Sequence, residues 1–267
     1  MDIHEIIKTV EQNTSSTQNV GLINGKAGAM VLFFCYHSFS HQQKYEDLAF
    51  QYMEYICEKI DASTLLSYED GLCGIGTAIE FLLQNNLIAG NGNEILEEID
   101  GMVANHIIHL PVSDCSLDKG LTGWGRYLLY RIKGAASDLN DVITLHAKEY
   151  FIAVMDLIDY YKDENMHLKE EIIAFLIDAH PLKIINFKIE KLLRFFLLEK
   201  DDNPFFLQKA LQVNDMRTTL LINELRMKSK IRHDVALTTG LRDGYTGMGM
   251  TRMMDSGHIT KDWTNLI

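Results

Sequence analysis

Apolar residues recur along this chain at three- and four-residue spacings, in segments of two alternating kinds. One kind is apolar on nearly every side, as in AMVLFFCY from Ala29, IGTAIEFLL from Ile75 and WGRYLLYRI from Trp124. The other is amphipathic, as in YEDLAFQYMEYICEKI over 45–60, where charges separate the apolar positions. The two kinds pair along the chain: 28–39 with 45–60, 76–83 with 95–108, and 123–132 with 142–161. Pairs of the same form fit 166–179 with 182–198 and 205–213 with 216–227, with breaks at Pro181 and Pro204, because proline opposes helix in the residue before it. No stretch alternates strictly over five or more residues, so the pattern predicts an all-α protein. An apolar helix followed by an amphipathic one implies two layers, one inner and one outer.

Glycine punctuates the pairs. Four turns, NGKAGAM at 24–30, DGLCGIG at 70–76, KGLTGWG at 119–125 and DGYTGMG at 243–249, hold eleven of the eighteen glycines. Each reads Gly, any residue, a small residue, Gly, and each lies within or just before an apolar stretch. The structural glycines are Gly25 and Gly28, Gly71 and Gly74, Gly120 and Gly123, and Gly244 and Gly247. Glycine at this density allows positive φ and close backbone approach, so each turn is expected to be a tight bend feeding a closely packed helix. The first glycines lie 46, 49 and 124 residues apart, and the last interval is three steps of about 41. About six helical-hairpin repeats follow, two of which have lost their glycines. Such an array either closes into a double-layered α/α toroid or stays an open arc. Neither end carries an obviously polar capping repeat, which favours closure.

With 267 residues, 47% of them hydrophobic, and no Pro/Ser-rich linker, the chain reads as a single domain over 1–267. No apolar run approaches a membrane span, and the amino-terminal MDIHEIIKTVEQNTSS reads as an acidic amphipathic helix, not a signal peptide. A cytoplasmic protein with no membrane partner is expected. The formal charge of −12 argues against nucleic acid as the main partner and is compatible with a basic peptide. Cys35, Cys57, Cys73 and Cys115 show no CxxC spacing. They read as packed thiols in a reducing compartment, with a metal site as the alternative.

The segments GLINGKAGAMVLFF, EDGLCGIGTAIEFLL and LRDGYTGMGMTRMM resemble the lanthionine synthetase C (LanC-like) family, in which spaced GxxG turns open apolar helices. The resemblance implies an α/α toroid with its site at one mouth of an inner helical barrel. In active members it implies a peptide cyclase that adds cysteine thiols to dehydroalanine or dehydrobutyrine, forming thioether rings. It also implies a zinc ion, which deprotonates and positions the thiol, held by a Cys in one repeat and a Cys-His pair in the next. The corresponding repeats here, at about 165–203 and 203–240, contain no cysteine, since Cys115 is the last in the chain. Ahead of the four turns stand Ile23-Asn24, Glu69-Asp70, Asp118-Lys119 and Arg242-Asp243, none of them a Cys-His pair. His37/His41 and His106/His109 share helix faces, but a catalytic zinc needs three converging ligands. No metal and no cofactor is expected.

Three aspartates remain as candidates. Asp70, Asp118 and Asp243 each stand one or two residues before a glycine turn, and the resemblance places those turns around the inner layer. On one reading the three carboxylates, with Trp124 and Tyr245, form a rim that binds a precursor peptide or a peptide-modifying enzyme such as a dehydratase. On the other, the aspartates satisfy local backbone N–H groups, Trp124 packs in the core, and Tyr245 does either. Two classes of function follow. The first is a zinc-free, non-catalytic LanC-like binding module in lanthipeptide-type modification. The second is an enzyme, either a cyclase that activates thiols without zinc or a carboxylate-based α/α-toroid enzyme.

Overall fold

A capping box sets the first helix. In a computed structural model, which describes residues 2–61, 63–109, 112–134, 142–199, 205–228, 230, 238–259 and 261–267, Asp2 accepts from the Glu5 N–H at 2.8 Å. Glu5 in turn accepts from the Asp2 N–H at 3.0 Å. From there α1 (Ile3–Ser15) buries Ile6, Ile7, Val10 and Thr14, one face of a helix. The chain continues through α2 (Lys26–Ser40), α3 (Gln43–Lys59), α4 (Leu72–Gln84), the single turn α5 (Gly92–Ile95) and α6 (Glu97–His109). It then runs through α7 (Leu121–Gly134), α8 (Val142–Tyr161), α9 (Lys169–Ala179), α10 (Asn186–Phe196), α11 (Phe206–Lys228) and α12 (Tyr245–Asp255). The described residues contain no strand, in keeping with the all-α reading.

The two kinds of helix are plain in their burial. Every residue of α2 from Lys26 to Tyr36 is buried, and every residue of α7 from Leu121 to Ile132. By contrast α3 buries only Ala49, Tyr52 and Ile56, and α6 only Ile99, Val103 and Ile107, at spacings that put each set on one stripe. Aromatic rings lock the first pair of helices together: Phe33 meets Tyr52 edge-on at 5.7 Å, and Tyr36 meets Tyr45 at 4.8 Å.

The chain divides into two compact units, 1–90 with 219–267, and 91–218. In the first, α2 is central and packs against α1, α3, α4 and α12, while α1 also packs along α12. The first and last helices of the unit are thus neighbours. In the second, α7 packs on α8 and α9, α8 on α6 and α10, and α9 on α10.

Two expectations are corrected. The segments 205–213 and 216–227 are not a hairpin but one continuous helix, α11. Asn214 and Asp215 lie between them, and with no glycine or proline from 205 to 228 nothing stops the helix. The break at Pro181 stands, as a 3-10 turn over His180–Leu182 that ends on Lys183 at φ 55°. Pro204 lies outside the described residues. The second correction concerns the turn glycines. Those that cap α2, α4 and α12 have φ of −123°, −125° and −123°, an extended backbone open to any residue. They are glycine for want of space, as described next.

Candidate functional site

All four glycine turns close the same ring. The N–H of the residue after the first glycine donates to the carbonyl seven residues back: Lys26 to Asn19 at 2.9 Å, Leu72 to Leu65 at 2.8 Å, Leu121 to Asp114 at 2.9 Å and Tyr245 to Thr238 at 3.0 Å. A helix normally leaves its first N–H groups unpaired. Here the preceding loop takes them, and in the last turn Thr246 and Gly247 also donate back, to Thr239 and Gly240, each at 3.2 Å. The first N–H of each of these helices is therefore spent on the fold.

A short polar side chain opens three of the rings. Asn19 Oδ1 accepts from the Gly21 N–H at 2.7 Å, Asp114 Oδ1 from the Ser116 N–H at 2.8 Å, and Thr238 Oγ1 from the Gly240 N–H at 3.4 Å. The loop then passes so close to the helix that a Cβ on Gly71 would lie 2.1 Å from the Leu65 oxygen. On Gly244 it would lie 2.2 Å from the Thr238 oxygen. The small residue inside the turn is a threonine in two cases, and Thr122 Oγ1 donates to the Cys115 carbonyl at 2.7 Å across the ring.

Three of the turns belong to the first unit, and hydrogen bonds lay them side by side. The Leu241 N–H donates to the Ile23 carbonyl at 2.6 Å, and the Ile23 N–H to the Glu69 carbonyl at 3.1 Å. The order is last turn, first turn, second turn. Side chains repeat the stitching: Asn19 Nδ2 donates to Asp70 Oδ1 at 2.6 Å and Asn24 Nδ2 to Glu69 Oε1 at 2.8 Å. Asp70 and Asp243 are exposed in this cluster. Asp243 Oδ1 accepts from Thr238 Oγ1 at 3.0 Å, and its carbonyl accepts from Lys228 Nζ at 2.9 Å. The cluster is thus acidic with interspersed cations, Lys228 and Arg242, and its aspartates are tied locally while their outer faces meet solvent.

Asp118 lies in the second unit, half-buried in the third turn beside Leu117, whose N–H donates to Glu171 Oε2 at 3.0 Å. Trp124 and Tyr245 are buried, at 4% and 7% exposure, and Trp124 meets the His106 ring edge-on at 6.2 Å.

Among the described residues no group of three or more His, Cys, Asp or Glu is placed to hold a metal ion. Burial pushes the Cys35 thiol up to about 12, and burial, with Asp114 and Glu164 adding, does the same to Cys115. The histidine pairs bond their own backbone: His106 Nδ1 to the Met102 carbonyl at 3.0 Å, His109 Nδ1 to the Asn105 carbonyl at 2.9 Å, and His37 Nδ1 to the Gln42 carbonyl at 3.1 Å. His41 is the left-handed cap of α2, at φ 55°. His233 lies outside the described residues.

The second unit also holds a cleft of about 250 Å³ between α6, α7 and α8, with Leu128, Ile143 and Ala147 as its apolar wall and Glu97, Asp100, His146 and Tyr150 as its polar one. Asp100 is already engaged there. Arg131 Nε reaches both its oxygens at 3.1 Å, and Tyr127 donates to it at 2.6 Å. No helix among the described residues is long and apolar enough to cross a membrane. No family model matches the chain, and no curated protein matches it significantly.

Proposed function

We propose that the protein is a LanC-like α/α-toroid module that binds a precursor peptide or its modifying enzyme in lanthipeptide-type biosynthesis, without catalysing ring formation itself. One observation carries this reading: the last glycine turn is hydrogen-bonded to the first, Leu241 N–H to Ile23 carbonyl at 2.6 Å, and the first to the second. Repeats far apart in sequence meeting through one shared turn favour a closed ring over an open arc. That arrangement gathers exposed carboxylates from Asp70 and Asp243, with Glu69 between turns, on a surface suited to a basic segment.

The test is fluorescence anisotropy with a labelled basic peptide rich in Ser, Thr and Cys, against the wild type and D70N/D118N/D243N. The substitutions keep shape and remove charge. Weaker binding by the variant is expected at low salt, with the difference shrinking as ionic strength rises, because exposed charges are screened over about 10 Å at 0.1 M. Equal binding by both proteins at low salt reduces the three aspartates to turn residues. Incubation with the dehydrated form of the same peptide separates the enzyme. Addition of a thiol across a dehydroalanine leaves the mass unchanged, so ring formation reads as loss of thiols that react with N-ethylmaleimide. Such loss, at a catalytic rate, would make the protein a cyclase.

A further inference from the structure

A cavity of about 180 Å³ in the first unit lies apart from the turn cluster and is built from segments distant in sequence. Phe81, Leu87 and Ile259 give it an apolar wall, and Cys35 adds a buried thiol. Its polar lining among the described residues is Ser38, Asn85, His258 and Trp263, with no Asp, Glu, Lys or Arg among them. Asn85 is fixed by its Nδ2 donating to the Phe81 carbonyl at 2.8 Å. His258 is held by its ring lying against Phe39, centroid to centroid 3.8 Å. Trp263 is 1% exposed, and its indole N–H has no hydrogen-bond partner among the described residues. Burying such a donor unpaired costs free energy, which an acceptor brought to it recovers.

We propose that this cavity binds a small uncharged molecule that carries a carbonyl oxygen on an apolar or aromatic body, with the oxygen accepting from the Trp263 indole N–H. No carboxylate among the described lining residues stands ready for an ammonium ligand, which would be stripped of water without a counter-ion. The volume is below that of a typical drug-sized site, so the ligand is of fragment size. This inference does not depend on the LanC-like reading.

Benzamide is a suitable probe, with ethylbenzene as the near-isostere lacking the oxygen and benzylamine as the cation. The chain has two tryptophans, so the ¹⁵N-labelled protein gives two indole N–H cross-peaks, and either W263F or W124F assigns them. Benzamide should move the Trp263 proton downfield in a saturable way while the Trp124 peak stays in place. Ethylbenzene should produce no downfield move, and benzylamine should not bind. Ser38 is exposed at the mouth, so S38F is expected to fold and to abolish the benzamide shift. The proposal is overturned if benzamide leaves the Trp263 peak unmoved up to its solubility. It is equally overturned if ethylbenzene shifts the peak in the same way, if benzylamine binds as well as benzamide, or if S38F responds like the wild type.

Discussion

Replacing Gly74 by alanine tests the ring geometry most directly. A Cβ built there lies 2.0 Å from the Tyr68 carbonyl oxygen and 2.9 Å from Leu22 Cβ, whereas ordinary contact starts at 3.4 Å. The loop must therefore retreat by more than 1 Å, against Leu22 on one side and against the ring bond from Leu72 N–H to Leu65 carbonyl, now 2.8 Å, on the other. Overpacking of this kind costs about 1–3 kcal/mol and a weakened hydrogen bond about 1 kcal/mol more. Alanine's better helix propensity returns roughly 1 kcal/mol. The net is a loss of about 1–3 kcal/mol, or a fall in Tm of roughly 2–12 °C in a chain of this size. Gly101 is the control. It is exposed in α6 with nothing within 4 Å of an added Cβ, so alanine there should stabilise by about 0.5–1 kcal/mol. Circular dichroism melts of G74A and G101A, each compared with the wild type, read opposite signs. A G74A melt within about 2 °C of the wild type, or an equal fall in both variants, would refute the close-approach argument.

Two further outcomes are expected. Of the four free cysteines only Cys57 is exposed, so a native thiol titration should give one fast equivalent that C57A removes and three more on unfolding. Raising the pH to about 9 should not bring out Cys35 or Cys115, because burial holds both at about 12; more than one fast thiol at neutral pH would contradict the packing. Arg131 is 3% exposed and paired with Asp100 at 2.8 Å, so D100L should cost about 3–5 kcal/mol by removing the charge partner of a buried guanidinium, to which neutral Asn93 remains as an acceptor at 3.0 Å, and D100L/R131M should recover much of that loss. Thermal unfolding of both variants measures it, and a D100L loss below about 1 kcal/mol would mean that the pair is not needed.

The period of the glycines made the helices and their pairing legible, because an apolar run opened by GxxG leaves little choice but a buried helix. The other half of each ring was hidden. Asn19, Leu65, Asp114 and Thr238 occupy one structural position with four different side chains, since what the ring uses there is the backbone carbonyl. Their signal was a fixed offset of six residues before each first glycine, not a residue type. The pairing expected over 205–227 failed because apolar content dips at Asn214-Asp215 with no residue that stops a helix. Asp70 and Asp243 stood out by their place ahead of a turn, but their partners Asn19 and Thr238 did not, since these are brought up by the ring itself. The Trp263 cavity had no sequence signature at all, because Ser38, Asn85 and Trp263 meet only through tertiary packing.

The neighbourhood of α1, α2 and α12 has a consequence for how the chain is made. A Cβ on Gly249 would touch Leu32 and Ile6, so the place where the first two helices rest is not translated until 217 residues after Leu32 and 243 after Ile6. At about 5–20 residues per second, that is on the order of 12–50 seconds on the ribosome. During that time α2, which ends up buried from Lys26 to Tyr36, has only α1, α3 and then α4 to cover it. The unit formed by residues 91–218 has all of its chain available earlier and can form while the other waits. Slowed translation or truncation ahead of Gly249 should therefore leave a helix that ends up buried over most of its length open to chaperones and to other nascent chains, with misassembly as the hazard.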